Sequence, residues 1–332
     1  MSKILATGGM GYIGSHTVIE LIKKGYEVEI LDNLFNSKVE VLDKIAQITG
    51  VKPKFHKVDM LDAAKIDQVF AEGNFDTVIH FAGLKAVGES VEKPLEYYQT
   101  NLGGTLNILN SMKKYGVNKI IFSSSATVYG DPHQPECVET FETGRELTNP
   151  YGKTKYMIEE ILKDVASADQ NFSVTLLRYF NPVGNHESGL IGEDPNGIPN
   201  NLMPIIMKVY KKEIPELSVF GDDYDTRDGS CIRDYIHVVD LAEGHILAME
   251  HMQPGVAIYN LGTGNGTTVF EMIDAFEKAS GEKLPHKVVG RRAGDLPVLT
   301  ANAEKAAKEL GWTATYSVED AMRDTINFLR NV

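Results

Sequence analysis

Short apolar runs alternate with longer stretches of helical periodicity through the first half of the chain. The apolar runs have the length of strands, and several end at a glycine or an acidic residue. This alternation predicts right-handed crossovers and a parallel sheet that binds ligands above the carboxyl ends of its strands. The predicted strands are Lys3–Thr7, Val28–Leu31, Lys54–Val58, Thr77–Phe81, Lys119–Ser123 and Ser173–Tyr179. The predicted helices are one that ends at Lys24, and Val39–Ile48, Ala63–Ala71, Pro94–Tyr115 and Tyr151–Ala168.

The pattern changes at Asn181. A stretch rich in Pro, Gly and Asn extends from there to Asn201, and its length predicts a loop that is either disordered or a binding wall. The predicted elements beyond it are helices Leu202–Lys212, Leu241–His251 and Val269–Ala279, strands Leu217–Phe220, Ile258–Leu261 and Lys287–Val289, and two closing helices. We therefore predict an α/β protein with a Rossmann-type doubly wound parallel sheet in residues 1–180. Residues 181–332 form a smaller mixed α/β substrate lobe, and parts of 236–262 return to the first domain.

The 332 residues carry a formal net charge of −13, which argues against a nucleic-acid partner because a polyanion would be repelled. A small anionic ligand would need local cations. The candidates are Lys85, Arg233, Arg291 and Arg292.

The cysteine and apolar content indicates a cytoplasmic protein. Cys137 and Cys231 lack the spacing of a metal site or disulfide framework, which predicts two free thiols, and the histidines form no H-E-x-x-H motif, which predicts no metal. The first apolar run ends at Thr7, too early for a signal peptide, and no stretch has the length of a membrane span.

A glycine-rich turn follows the first strand. Gly9, Gly11 and Gly14 satisfy G-x-G-x-x-G, and Gly8, Gly11 and Gly14 satisfy G-x-x-G-x-x-G. Glycine lets the backbone turn tightly and approach a pyrophosphate at the helix N-terminus. The next strand leads into Asp32, where a carboxylate would meet ribose hydroxyls and favour NAD over a 2′-phosphorylated cofactor.

Tyr151 and Lys155 are four residues apart and share one face if this segment is helical. A nearby ammonium and an oxidised nicotinamide both favour the phenolate, so together they could lower the pKa of Tyr151 from about 10 towards neutrality. Ser125, at the end of the preceding strand, could share a hydrogen bond with the same substrate hydroxyl. The alternative is a packing tyrosine beside a solvated lysine.

With these motifs the chain resembles the extended short-chain dehydrogenase/reductase family. The resemblance covers nearly the whole chain and is carried by five strings, of which HFAGLKAVGES and RYFNPVG are far more specific than the glycine motif. The five strings are TGGMGYIG from Thr7, HFAGLKAVGES from His80, RYFNPVG from Arg178, GIPNNL from Gly197 and RDYIH from Arg233.

The resemblance implies an NAD-dependent enzyme that interconverts UDP-glucose and UDP-galactose by inversion at C4 through a transient 4-keto sugar. Tyr151 would take the proton of the 4-hydroxyl, Lys155 would lower the phenol's pKa and hold the nicotinamide ribose, and Ser125 would steady the reacting oxygen. It also implies a homodimer joined through the helices near 94–115 and 151–168.

The resemblance further assigns contact residues. The cofactor contacts are Gly8, Gly11, Tyr12, Ile13, Gly14, Asp32, Asn33, Asn36, Ser37, Asp59, Met60, Phe81, Ala82, Gly83, Lys85, Asn101, Ser123, Tyr151, Lys155, Tyr179 and Phe180. The UDP-hexose contacts are Lys85, Ser125, Thr127, Tyr151, Asn181, Asn201, Leu202, Phe220, Arg233, Tyr235, Arg292, Asp295 and Leu299.

Leu299 bears on the substrate range, because some relatives place a tyrosine there and others a much smaller residue. A leucine of intermediate size leads us to expect weak tolerance of N-acetylated UDP-hexoses. The alternatives are an epimerase of another nucleotide sugar, such as a UDP-N-acetylhexosamine or UDP-pentose, a 4,6-dehydratase for which no motif is found, and a non-catalytic NAD-sensing protein.

Overall fold

The computed structural model describes residues 2–196, 201–292 and 294–331. Its strands are β1 Lys3–Thr7, β2 Glu27–Asp32, β3 Lys54–Lys57, β4 Thr77–His80, β5 Lys119–Ser125, β6 Glu136–Cys137, β7 Ser173–Tyr179, β8 Asn181–Val183, β9 Leu217–Phe220, β10 Ile232–His237, β11 Gly255–Leu261, β12 Gly266–Thr268, β13 His286–Val289 and β14 Val298–Ala301. Its helices are α1 Tyr12–Lys23, α2 Val41–Thr49, α3 Ala63–Gly73, α4 Val87–Glu92, α5 Pro94–Tyr97, α6 Gly104–Tyr115, α7 Pro150–Ala168, α8 Leu202–Tyr210, α9 Val238–Glu250, α10 Val269–Ser280, α11 Glu304–Leu310 and α12 Val318–Asn331.

Seven of these strands form one parallel sheet in the order β11-β7-β5-β4-β1-β2-β3. From β1 the chain builds outward to β2 and β3, then crosses back to place β4 on the other side of β1. This reversal opens a crevice above the carboxyl ends of β1 and β4, where doubly wound sheets bind ligands. The predicted α/β fold with a doubly wound parallel sheet is confirmed.

Helices cover both faces of this sheet, because successive side chains along each strand point to opposite sides. On β1, Ile4 and Ala6 face a core formed with α1, α2 and α9, whereas Leu5 faces a second core formed with α3, α6 and α7. All three side chains are fully buried. A sheet buried on both faces holds its strand ends in fixed positions, and these ends carry the candidate site.

A smaller set of strands comes from the second half of the chain together with β6 of the first half. In this set β12, β10, β14 and β6 are neighbours, and β8 pairs with β10. A separate parallel pair joins β9 and β13, and a third core lies among α8, α10 and α12. The strands β6, β8, β10, β12 and β14 were not predicted. All except β10 have only two to four residues, and all five are held by pairing with distant segments. The stretch from Asn181 to Asn201, which was predicted to be a loop, therefore begins with the strand β8. Residues 197–200 of this stretch lie outside the described part of the chain.

The predicted helix Pro94–Tyr115 is interrupted by a π turn at Tyr98–Gly103. Such turns in α-helices are frequent at functional sites, and this one contains Asn101. The glycine that follows marks close packing, because a Cβ on Gly104 would lie 2.6 Å from the Met60 Cβ. The short helix α4 before this segment was not predicted.

The helix α7 begins where its local sequence dictates. The side chain of Asn149 caps it by accepting a hydrogen bond of 2.8 Å from the Gly152 N–H, and Pro150 occupies the first helical position. Tyr151 therefore lies in the first turn, with Lys155 one turn further on. Across the ranges that the structure describes, none of the helices has both the length and the apolar character required to span a lipid bilayer.

Candidate active site

The glycine turn after β1 brings bare backbone to the N-terminus of α1. Gly8 has a φ of +71° in the left-handed region, and a Cβ there would lie 2.7 Å from the Ala82 nitrogen. A Cβ on Gly14 would lie 2.3 Å from the Gly8 carbonyl oxygen. Glycine is therefore required at both positions, and Gly11 stands at the helix N-cap between them.

An acidic residue ends β2, and another, Asp59, follows two residues after the end of β3. The Asp32 carboxylate accepts hydrogen bonds from the N–H groups of Met10 and Leu34 and from the Ser37 hydroxyl, at 2.8 to 3.1 Å. Burial raises its pKa, and these hydrogen bonds oppose that effect. Asp32 thus holds the glycine turn and the loop after β2 together.

Asp59 accepts a hydrogen bond of 2.8 Å from the Asn33 amide, so these two predicted cofactor residues are in contact. Asn36 is exposed on the same loop. Met60 is buried against Gly104.

The rim loop after β4, residues 81–85, is held from behind by Asn101. The Asn101 Oδ1 accepts from the Leu84 N–H at 2.8 Å, and its Nδ2 donates to the Leu84 carbonyl at 3.1 Å and to the Thr154 hydroxyl at 2.9 Å. Asn101 therefore acts as a clamp between the rim loop and α7, in addition to its predicted place near the cofactor. At the end of the loop, the Lys85 Nζ lies 3.1 Å from the buried carboxylate of Glu193.

Lys155 is buried beneath the carboxyl end of β5. Its Nζ donates a hydrogen bond of 2.5 Å to the Ser123 carbonyl and lies 4.7 Å from the centre of the Phe122 ring. The same nitrogen lies 5.9 Å from the centre of the Tyr151 ring. The positions of the Tyr151 and Lys155 side chains are therefore consistent with the prediction that both lie on one face of α7.

Burial acts on the pKa values of both side chains. It raises the pKa of Tyr151, and a hydrogen bond with Ser125 lowers it. Burial also lowers the pKa of Lys155 to about 7, against a smaller opposing effect of Glu159. Burial therefore favours the protonated phenol, and an oxidised nicotinamide beside Tyr151 would add a second positive charge that favours the phenolate.

Further predicted residues surround the strand ends. The Ser123 and Tyr179 hydroxyls are in contact, and burial raises the pKa of Tyr179. The Thr127 hydroxyl is buried without a hydrogen-bond partner among the described residues, as expected of a group that faces a ligand. Tyr12, by contrast, donates its hydroxyl hydrogen to the Gly184 carbonyl at 2.6 Å. Ile13, Ala82 and Gly83 lie on α1 and the rim loop.

A second cluster unites the predicted UDP contacts of the C-terminal lobe. The Asp295 carboxylate binds the Arg292 guanidinium at 2.8 and 3.1 Å and lies 3.6 Å from that of Arg233. The Arg292 guanidinium also lies 5.5 Å from the centre of the Phe220 ring. The cluster therefore combines two cations, a carboxylate and an exposed aromatic face, which suits a nucleoside diphosphate.

The other predicted substrate residues lie on neighbouring elements. Tyr235 on β10 is paired in register with Asn181 on β8, and Leu299 on β14 is paired with Arg233. Leu299 also packs on a small apolar cluster that includes Phe180. Asn201 precedes α8, and Leu202 begins it.

Sequence reasoning missed several polar residues at the site. Arg291 was named only as a candidate cation, and it binds Asp223 at 2.7 Å while stacking 4.2 Å from the centre of the Tyr224 ring. Glu159 and Arg178 form a buried ion pair beneath the tyrosine and serine. The spacing of Glu159 from Lys155, one further helical turn, was the available signal.

The residues present fit a dinucleotide, because bare backbone at an α-helix N-terminus is followed by a buried carboxylate at the end of the next strand. Together with the tyrosine and lysine, this defines a dinucleotide-dependent α/β enzyme. A model of the NAD dependent epimerase/dehydratase family matches residues 4–262. The chain belongs to this family, which confirms the resemblance seen in the sequence.

Individual relatives match nearly the whole chain. UDP-glucose 4-epimerase of Haemophilus influenzae is 56% identical over 99% of this chain and 97% of its own, and that of Bacillus subtilis is 55% identical over 97% and 95%. A crystal structure of UDP-glucose 4-epimerase from Bifidobacterium longum, in complex with NAD+ and UDP, has a TM-score of 0.96. It is 53% identical and covers 99% of this chain and 98% of that one.

We predict that Gly14→Ala lowers the NAD content of the purified protein about tenfold or more, because the added methyl group displaces the turn from the phosphate position. The nucleotide released on denaturation measures the content. Gly290→Ala is the matched control, since nothing lies within 4 Å of its added Cβ. A folded Gly14→Ala protein with full NAD content would contradict the role assigned to the turn.

Proposed function

We propose that this protein interconverts UDP-glucose and UDP-galactose by inverting C4 of the hexose with a bound NAD. The observation that carries the proposal is the convergence of Tyr151, Ser125 and Lys155 at the rim of a dinucleotide-binding sheet. The names of the relatives at 53–56% identity support the same reaction. The presence of both Tyr151 and Lys155 weighs against a non-catalytic NAD-sensing protein.

When bound, NAD would supply the chemistry of a reversible hydride acceptor at C4 of the hexose. Tyr151 takes the proton of the 4-hydroxyl as the 4-keto sugar forms, and gives the proton back when the alcohol is restored. Ser125 holds the reacting oxygen through both steps, and the Lys155 ammonium favours the phenolate electrostatically.

Inversion at C4 requires the nucleotide to stay bound while the keto hexose rotates and presents its opposite face to the cofactor. Arg233 and Arg292 anchor the diphosphate, and Asp295 accepts a uridine ribose hydroxyl. This proposal is supported by their clustering beside the exposed ring of Phe220. The hexose itself is held by fewer polar groups, Ser125 and Thr127 among them, so that it can present either face.

We also propose a cytoplasmic location. Cys137 and Cys231 are both buried free thiols, which suits a reducing compartment.

Tyr151→Phe tests the reaction. We expect it to retain NAD and UDP and to lose about 10³-fold in kcat, because the proton acceptor is removed. Conversion of UDP-galactose to UDP-glucose without added NAD gives the rate. Tyr156→Phe is the control on the same helix, since its hydroxyl makes no hydrogen bond to the described residues. Near-normal turnover by Tyr151→Phe would remove Tyr151 as the base.

The substrate range is tested at Leu299, which is half-buried against the apolar cluster around Phe180. We predict slow turnover of UDP-N-acetylglucosamine and UDP-N-acetylgalactosamine by the unmodified protein. Leu299→Tyr should abolish it and preserve turnover of UDP-galactose, because the larger ring fills space that the acetamido group needs. The measurement is an assay of both substrate pairs, acetylated and unacetylated, at high enzyme concentration. If the unmodified protein does not convert the N-acetylated pair, the predicted substrate tolerance is refuted.

We further propose a homodimer. Large exposed apolar side chains lie on the helices that the family resemblance assigns to the interface, namely Leu95 on α5, Leu106 on α6 and Met157 on α7. Val91, on the neighbouring helix α4, is also exposed. Leu95 is 78% exposed and Val91 is 60% exposed, which is costly unless a partner covers them. A second copy suits this surface because the patch is apolar and lies on adjacent helices.

Light scattering should give twice the chain mass of 36.6 kDa, and Leu95→Glu should shift the protein towards the monomer, because a charge would be buried at the interface. Val51→Glu, at an exposed apolar residue outside this patch, should leave the mass unchanged. A monomeric unmodified protein would contradict the proposal.

A further inference from the structure

A row of buried polar side chains crosses the main sheet beneath α7. Ser124 on β5 is paired in register with Arg178 on β7, and Arg178 is paired with Asn260 on β11. Each of the three residues is at most 1% exposed. Positions in register on parallel strands present their side chains to the same face, so the row lies side by side in an otherwise apolar core.

Glu159 of α7 lies against this row and is itself fully buried. The Ser124 hydroxyl donates to its Oε1 at 2.6 Å, and Arg178 donates to both carboxylate oxygens, from Nε at 2.9 Å and from Nη2 at 2.6 Å. A buried ion pair contributes little net stability compared with apolar residues of the same size. We therefore look for the function of the Glu159–Arg178 ion pair in the groups that it holds in position.

The remaining donors of the row are also satisfied. The Arg178 Nη1 donates to the Tyr129 hydroxyl at 3.2 Å and to the Glu139 carbonyl at 3.3 Å, and the Tyr129 hydroxyl donates to the Asn260 Oδ1 at 2.6 Å. The Asn260 Nδ2 donates to the Cys137 carbonyl at 2.9 Å. The network thus fixes α7, three strands and the segment before α7 in one arrangement.

Glu159, Ser124 and Arg178 each lie close in sequence to a residue of the candidate site. Glu159 is one helical turn beyond Lys155 on α7. Ser124 lies between Ser123, whose carbonyl accepts the Lys155 hydrogen bond, and Ser125, which bonds to Tyr151. Arg178 precedes Tyr179, whose hydroxyl contacts Ser123.

The charges around Lys155 single out Glu159. His80 on β4 is neutral, because burial lowers its pKa to about 3, and Tyr179 on β7 and Tyr151 on α7 are neutral phenols whose pKa values burial raises. Glu159 is the group that opposes the effect of burial and raises the pKa of Lys155. The charged neighbours of Glu159 are Arg178 and Lys163. The Lys163 Nζ lies 4.0 Å from the Glu159 carboxylate and is partly exposed.

Resting on the proposed function, we propose that Glu159, held by Arg178 and Ser124, is a positioning residue for the reaction. It fixes α7 against the ends of β5 and β7 so that Tyr151 and Lys155 are aligned. It also supplies the negative charge that keeps the Lys155 ammonium protonated during turnover.

The test is the pH dependence of kcat for UDP-galactose with the NAD-loaded protein. A negative neighbour favours the charged form of a lysine, so Glu159→Gln lowers the pKa of Lys155 and the ammonium is lost at lower pH. We expect the alkaline limb to move down by about one pH unit or more, with kcat lowered and KM changed little. Glu160→Gln is the matched control, because Glu160 is the next residue of α7 and binds Lys163 at the surface. Its profile should match that of the unmodified protein.

Two further variants separate positioning from folding. Glu159→Asp keeps the charge but shortens the reach, so it should retain the alkaline limb of the unmodified protein and lower kcat. If Glu159→Gln does not fold because the Arg178 guanidinium is left unpaired, the double variant Glu159→Gln, Arg178→Gln removes both charges. Its alkaline limb should move in the same direction by a smaller amount, because loss of the Arg178 cation partly offsets loss of the Glu159 anion. An alkaline limb that does not move in a folded variant lacking Glu159 overturns the inference.

A readout without turnover distinguishes this inference from the proposed function. The Lys155 Cε resonance of isotopically labelled lysine, assigned with Lys155→Met, reports its titration in the NAD-loaded protein. A lower titration midpoint in Glu159→Gln supports the inference, and an unchanged midpoint overturns it. Failure of the proposed function would instead appear as an unmodified protein that does not convert UDP-galactose at any pH.

Discussion

The hydrogen bond between the Lys155 ammonium and the Ser123 carbonyl is the interaction on which the candidate site depends. It joins the first turns of α7 to the last residues of β5, and so brings a helix residue and a strand residue within reach of one hydroxyl. An ammonium in this buried position is costly, because burial lowers its pKa to about 7. The surroundings compensate with the carbonyl, the Phe122 ring and the carboxylate one turn away.

The main sheet fixes the geometry of the candidate site. Its strands are parallel and buried on both faces, so the carboxyl ends of β1, β4 and β5 are held at fixed spacing by the two helical layers. The glycine turn, the rim loop and the serines lie on those three ends. Asn101 then links the rim loop to α7 through Thr154, which connects the cofactor side of the crevice with the helix that carries the tyrosine.

Local patterns made most of the main sheet and much of the site predictable. Strand-length apolar runs such as Lys3–Thr7 are unambiguous where both faces are buried, and Gly8, Gly14 and Asp32 belong to a motif with a physical reason for each position. The strands β6, β8 and β14 were not predictable, since their few residues are ordered by partners more than 50 residues away. For the same reason the ion pair of Glu159 with Arg178 was not predicted, because only the fold brings the two side chains together.

Asp295 has a consequence for an acidic protein that must accept an anion. With a net charge of −13, the chain as a whole repels a diphosphate, so the binding of a diphosphate proposed for this cluster depends on a short-range field. Asp295 holds the Arg292 and Arg233 side chains in place through a shared carboxylate. Their conformational freedom is thereby restricted on folding and little more is lost when the ligand arrives, which is preorganisation in the thermodynamic sense.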